Sequence, residues 1–178
     1  MSTVYTLDAT LSIKNIVEKL NALPEQISVA AMRSLNKTAA WVKSTSAKQI
    51  AKEKLLKLKF VRNRLKIKKA GKEFLQAKVL ANLKGVRAKD IGPMKQTIIG
   101  AIAGQHMFAG AFVATMPKNK HTGIFKRKTK NRLPIEEQYL SIYKEASALI
   151  EKLVDEKTAS RFEHYFRHEI KFATGNFL

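Results

Sequence analysis

The sequence predicts an α+β fold with helices first, an antiparallel sheet in the middle and helices again at the C-terminus. Three observations carry this. Apolar residues recur at helical spacing over the first third of the chain, the period shortens to two from Lys66, and helical spacing returns from Tyr143. The length of 178 residues suits one α+β domain. Within it, residues 1–65 read as mainly helical, 66–142 as antiparallel sheet with a basic hairpin, and 143–178 as C-terminal helices.

Ile13, Ile16, Val17, Leu20 and Leu23 place an amphipathic helix over Ser12–Leu23. Pro24 interrupts it and suits the first turn of a second helix, where Glu25 favours the positive end of the dipole. That helix runs to about Lys52, with Ile27, Ala31, Leu35, Thr38, Val42, Thr45 and Gln49 on one stripe. Its many Ala and Ser residues allow close approach to a neighbouring helix or sheet. Lys52–Leu65 fits either period, and its Lys, Leu and Glu content favours helix.

Around Ala70-Gly71-Lys72, Ile67 and the alternating Ala77, Val79, Ala81 and Leu83 read as a hairpin. Gly92-Pro93 is a further turn. Thr97–Ile102 and Met107–Thr115 read as strands separated by Gly104-Gln105-His106, with Ile124–Lys128 pairing back and Ile135–Ile142 as one more strand. Ala146, Leu149, Ile150 and Leu153 then form a helical stripe, and Phe162, Tyr165, Phe166, Glu169, Ile170 and Phe172 cluster in a terminal helix.

The net charge of +20 opposes compaction unless a partner neutralises it, which points to nucleic acid, an acidic protein surface or an anionic membrane. The excess is concentrated. Residues 52–95 carry 15 basic and 3 acidic side chains, residues 96–117 carry none, and residues 118–132 carry 7 basic and no acidic ones. Residues 133–178, with 6 basic and 8 acidic side chains, are mildly acidic, so basic middle and acidic end can meet between copies.

The densest feature is Gly110–Ile135, an apolar strand, a lysine-rich turn and a returning basic strand. Phe112, Val113, Met116, Ile124 and Phe125 can anchor such a hairpin, so its basic residues project from a fixed scaffold. The candidate surface for DNA or an acidic partner comprises Lys57, Lys59, Arg62, Arg64, Lys66, Lys68 and Lys69, with Lys118, Lys120, Lys126, Arg127, Lys128, Lys130 and Arg132. Aromatic interleaving is thin, with Phe60, Phe74 and Phe125 only, so backbone electrostatics fits better than base stacking.

Other chemistries lack their motifs. The absence of cysteine excludes disulfides and thiol chemistry. Gly100–Gly104 is not followed by the Lys-Ser/Thr of a phosphate loop. His164 and His168 stand four apart without the His-Glu-x-x-His order of a zinc protease. No catalytic, metal or cofactor residues are expected. The N-terminus lacks the pattern of a secretory signal, and Gln96–Met116 is too interrupted by glycine to span a membrane.

The order of segments resembles the phage minor tail protein Z family, the tail completion proteins of long-tailed phages. The resemblance lies in Ala-Ala-Met-x-x-Leu-Asn-Lys at Ala30–Lys37, the basic Arg62-Asn-Arg-Leu-Lys, and the Ala77–Leu83 strand. Gly110-Ala-Phe, Thr122-Gly-Ile-Phe-Lys-Arg, Leu133-Pro-Ile and a final helix with His168 follow, so that Val29–Phe172 is covered. The longer N-terminus before Pro24, the glycine-rich stretch around Gly100 and the less basic C-terminus depart from the pattern. The resemblance implies a virion protein at the head-proximal end of the tail, made in the bacterial cytoplasm, acting in tail completion and head–tail joining. Its implied partners are other tail or neck proteins and its own copies in a ring, with DNA near the basic surface. The rival reading of the residues alone is a free nucleic-acid-binding protein without sequence preference.

Overall fold

The computed structural model describes residues 2–8, 24–117 and 120–175. The expected helix at Ser12–Leu23 lies outside them. The architecture is α+β: two long helices packed on each other, with antiparallel sheets formed mainly by the middle of the chain.

Helix α1 (Pro24–Glu53) and the C-terminal helix α4 (Tyr143–Thr174) make the principal helix–helix contact. Ala30, Ala31, Ala39 and Ala47 on α1 are fully buried, and their small side chains let α4 and the sheet come close on two sides. The buried hydroxyls of Ser34 and Thr38 donate back to the carbonyls of Ala30 and Ser34, at 2.7 and 2.8 Å, so burial leaves neither unsatisfied. On α4, Ile150, Leu153, Phe162, Phe166 and Ile170 complete the core. The C-terminal pair of helices expected from the sequence is a single 32-residue helix, ending where Gly175 adopts φ +70°.

Helix does not continue from Lys52 to Leu65. After Glu53 the chain turns through Leu55 at φ +46° and restarts as α2 (Leu58–Arg64). The break lets Leu56 and Val61 turn inward, which one straight helix could not do for both. Lys54 Nζ meets Glu145 at 2.7 Å, tying the break to the start of α4.

Strands β1 (Ser2–Asp8), β2 (Leu65–Lys68) and β3 (Gln76–Asn82) form a sheet in the order β1-β3-β2. The hairpin β2–β3 is as the sequence predicts. Strand β1 is not, although Tyr5 and Leu7 point inward between exposed Val4 and Thr6 with the period of a strand. It pairs along β3 from Ser2↔Asn82 to Asp8↔Gln76, making β3 the central strand and adding a strand ahead of the N-terminal helices. Ala77, Val79 and Ala81 face α1. Asn36 of α1 clamps the turn: its Nδ2 donates to the Ala70 carbonyl at 3.2 Å, and the Ala70 N–H donates to its Oδ1 at 2.8 Å.

Strand β4 (Val86–Arg87) and the short helix α3 (Ala88–Ile91) lead to a meander of β5 (Met94–Thr97), β6 (Gly100–Ala103) and β7 (His106–Ala109). The strand expected at Thr97–Ile102 is instead a hairpin turning at Ile98-Ile99. The strand expected at Met107–Thr115 is split by Gly110 at φ +68°, so β8 (Ala111–Met116) joins β9 (His121–Arg127) and β10 (Ile135–Glu137) in another sheet. Gln138 interrupts the last expected strand by donating its N–H to the Ile124 carbonyl at 2.8 Å. Beyond it, β11 (Tyr139–Leu140) pairs with β4.

Candidate polyanion-binding surface

The candidate basic residues fall into two tracts, one on α2 and β2 and the other on β9 and the connections that flank it. Lys57 immediately precedes α2, Lys59 and Arg62 project from it, and Lys66 and Lys68 stand on the outer face of β2, with Lys69 just beyond. Lys126 and Arg127 end β9, while Lys128, Lys130 and Arg132 follow in the exposed connection to β10. Lys120 sits in the β8–β9 turn at φ +48°, and Lys118 lies outside the described residues. The two tracts pack differently, α2 against α1 and β2, and β9 against β8, β10 and α3.

Their charge is handled differently as well. On the β9 side, Lys128 Nζ pairs with Glu136 at 2.5 Å, Lys126 is opposite Glu136 in the ladder, and the Arg127 guanidinium lies 5.9 Å from the centre of the Phe112 ring. The hairpin's anchors are as expected: Ile124 and Phe125 are buried, and Phe112 and Phe125 face each other with ring centres 6.4 Å apart. On the β2 side, Lys57, Lys59, Arg62, Lys66, Lys68 and Lys69 form no ion pair among the described residues.

Arg64 is the exception in that tract. Its guanidinium donates to the carbonyls of Asn82, Lys84 and Gly85 and stacks 4.7 Å over the Phe60 ring. It ties α2 to the end of β3 and is a structural residue of the scaffold.

The residue missing from the sequence-based set is Lys78. It alternates with the buried Ala77 and Val79, which places it on the outer face of the central strand, directly opposite Lys68 and beside Thr6 of β1. Lys66 stands two residues along the same face, opposite Leu80. Alternation alone signalled that Lys78 points outward, but only the ladder register shows that it meets Lys68.

A polar cluster on β9, β10 and β11 also escaped the sequence reading. His121 Nε2 is 2.7 Å from Glu137 Oε1, and the Tyr139 hydroxyl donates to Glu137 Oε2 at 3.0 Å. Burial pushes the Glu137 carboxyl up, but these hydrogen bonds and the nearby Arg87 charge outweigh it and hold the group below its ordinary range. The cluster fixes the junction of three strands. Among the described residues no group of three His, Cys, Asp or Glu side chains is arranged to hold a metal ion, and no helix is long and apolar enough to cross a membrane.

What the geometry assembles is a cationic face on a rigid sheet, the equipment of a binding or structural protein. The chain belongs to the family of prophage minor tail protein Z (GPZ), whose sequence model matches residues 12–177. It is therefore a structural protein of a phage tail. The match begins upstream of the segments that carry the resemblance in sequence and takes in residues 12–23 of the stretch before Pro24. No match was found among curated proteins or among solved structures.

Proposed function

We propose that this protein acts in tail completion and head–tail joining, as a ring at the head-proximal end of the tail, without catalysis. Its basic surface faces the DNA backbone or the end of the tape-measure protein. The observation that carries this reading is the lysine face of α2, β2 and β3, fixed on a sheet and without acidic partners among the described residues. A surface of that kind suits close-spaced phosphates, and it lacks the convergent donors and acceptors that read base edges. Family membership supports the setting, a phage tail.

A completion protein acts after the tube has polymerised. Lysates lacking this protein should therefore contain tails of normal length that join heads poorly, as seen by electron microscopy. Tails of altered length would move the role to the tube or the tape measure. Fully infectious particles would return the chain to the free nucleic-acid-binding reading.

A further inference from the structure

The ladder register arranges the outer face of the β1-β3-β2 sheet in rows. Val4 of β1 stands beside Leu80 of β3, and Leu80 beside Lys66 of β2. In the next row Thr6, Lys78 and Lys68 lie side by side. Helix α1 packs on the opposite face, where Ala77, Val79 and Ala81 are buried. On the outer face Val4 is 49% exposed, Lys66 and Lys68 are exposed, and Leu80 and Lys78 are half-buried. Cations and apolar side chains therefore share one surface.

Phe74 extends that surface at the β2–β3 turn. It is 79% exposed, while the neighbouring Leu75 packs on the core. Its backbone is fixed. The Phe74 carbonyl accepts the N–H groups of Gly71 and Gln76 at 3.0 and 2.8 Å, and Asn36 holds the turn at Ala70. The turn carries Lys69 and Lys72 against one acidic residue, Glu73. Of the three aromatic residues set among the basic ones, Phe60 lies under the Arg64 guanidinium and Phe125 is buried. Phe74 is the one whose ring a ligand can reach. Four residues separate it from Lys78, at most about 14 Å of chain, so one short strand can lie on the lysines and meet the ring.

We infer that this face is a platform for a single DNA strand, with Lys66, Lys68 and Lys78 on its phosphates and Phe74 stacked on an unpaired base. Every base has a π-face, so such stacking is tolerant of sequence, and it needs none of the donors and acceptors that read base edges. A duplex keeps its base faces inside the stack. It meets the lysines and leaves Phe74 without a partner. An anionic membrane fits less well, because Val4 and Leu80 lie in the sheet surface beside the lysines and do not project past them into an acyl phase. The inference rests on the polyanion reading above and narrows its ligand to an unpaired strand.

The test measures fluorescence anisotropy with the full chain, a labelled oligothymidine of about 16 nucleotides and a duplex of the same length. Phe74→Ala should lower the affinity for oligothymidine about 5- to 150-fold, the equivalent of one stacked base, and leave the duplex affinity unchanged. The salt slope for oligothymidine should stay the same, because no phosphate contact is lost. Phe74→Tyr keeps a ring and should keep the wild-type affinity. The position is exposed, so both variants should retain the wild-type melting curve. Equal loss on both ligands, no loss on either, or a wild type that binds the duplex alone overturns the stacking and leaves the lysine face as a polyanion site. A wild type that binds neither ligand overturns the polyanion reading as well. Binding to phosphatidylserine vesicles that Phe74→Ala abolishes, with oligothymidine affinity unchanged, assigns the ring to a membrane and overturns the strand platform.

Discussion

Lys68 on β2 and Lys78 on β3 stand directly opposite each other in the antiparallel ladder, with no acidic partner for either among the described residues. Like charges so placed destabilise a sheet, by amounts comparable to the roughly 0.2–1 kcal/mol that a favourable cross-strand pair contributes. The fold carries that cost on its central strand, so the two effects can be separated. Lys78→Glu should raise stability by about 0.2–1 kcal/mol in urea denaturation while weakening binding to duplex DNA. Loss of stability, or unchanged DNA affinity, would count against the face as a polyanion site.

Wild-type protein should bind duplex DNA without sequence preference, with log affinity falling steeply against log salt. Replacing Lys66, Lys68 and Lys78 together by Gln removes three phosphate contacts and should lower the slope by about 2.7. An unchanged slope, or preference for one sequence by several kcal/mol, sinks the backbone-contact reading.

Reversing Lys130 and Arg132 to Glu should leave the melting curve unchanged and reduce the yield of infectious particles, because these exposed side chains form no ion pair among the described residues. Lys128→Glu differs, since it sets two carboxylates against each other at Glu136 and should also lose some tenths of a kcal/mol. Normal particle yield from the Lys130/Arg132 variant would remove this connection from any interface.

The contrast between these tracts marks how far the sequence could be read. Composition and charge spacing located both basic blocks, and the strand period around Val79 and Ile124 located the hairpins that carry them. Pairing across distance was not legible. That β1 completes the first sheet depends on pairing between segments far apart in sequence, while the meeting of Lys78 with Lys68 and of Glu136 with Lys128 depends on the register inside each hairpin. The Ile98-Ile99 turn was hidden for a different reason. Local propensity favours strand there, and tertiary hydrogen bonds from Gln96 and Gly110 override it.

Gly100→Ala should destabilise the β5–β6–β7 meander by about 1–3 kcal/mol, because the added methyl would meet a backbone carbonyl that cannot rotate away. Gly71→Ala, where nothing lies within 4 Å of the new Cβ, provides the comparison and should change stability little. Equal effects from both would show that the close approach at Gly100 is not a constraint on the fold.

The two long helices are joined by a carboxylate. Glu169 of α4 is 6% exposed and is met by the Lys37 ammonium and by Arg33 at 3.6 Å, both from α1. Lys37→Met leaves that carboxylate short of its closest donor and should cost about 1–3 kcal/mol. Combining it with Glu169→Leu removes the orphaned charge and should recover part of the loss, a non-additivity that a double-mutant cycle in urea would measure. Strict additivity would mean that the pair does not hold the helices together.

Tyr5 gives the fold a dependence on alkaline pH. Burial under α4 is the main cause that pushes its hydroxyl up to about 12, and the negative charge of Glu151 adds to it. In the unfolded chain a tyrosine ionises near its ordinary value of about 10. Below that value both states keep the proton and the contribution of this group is fully present. Between about 10 and about 12 the unfolded chain releases the proton while the folded one holds it, so stability falls as pH rises. Tyr5→Phe lacks this component. The difference in unfolding free energy, wild type minus variant, should be flat up to about pH 10 and then decline, while the titration of lysines common to both chains cancels. A difference curve that stays level through this range would show that Tyr5 is not shielded by α4, and would question the docking of β1 beneath that helix.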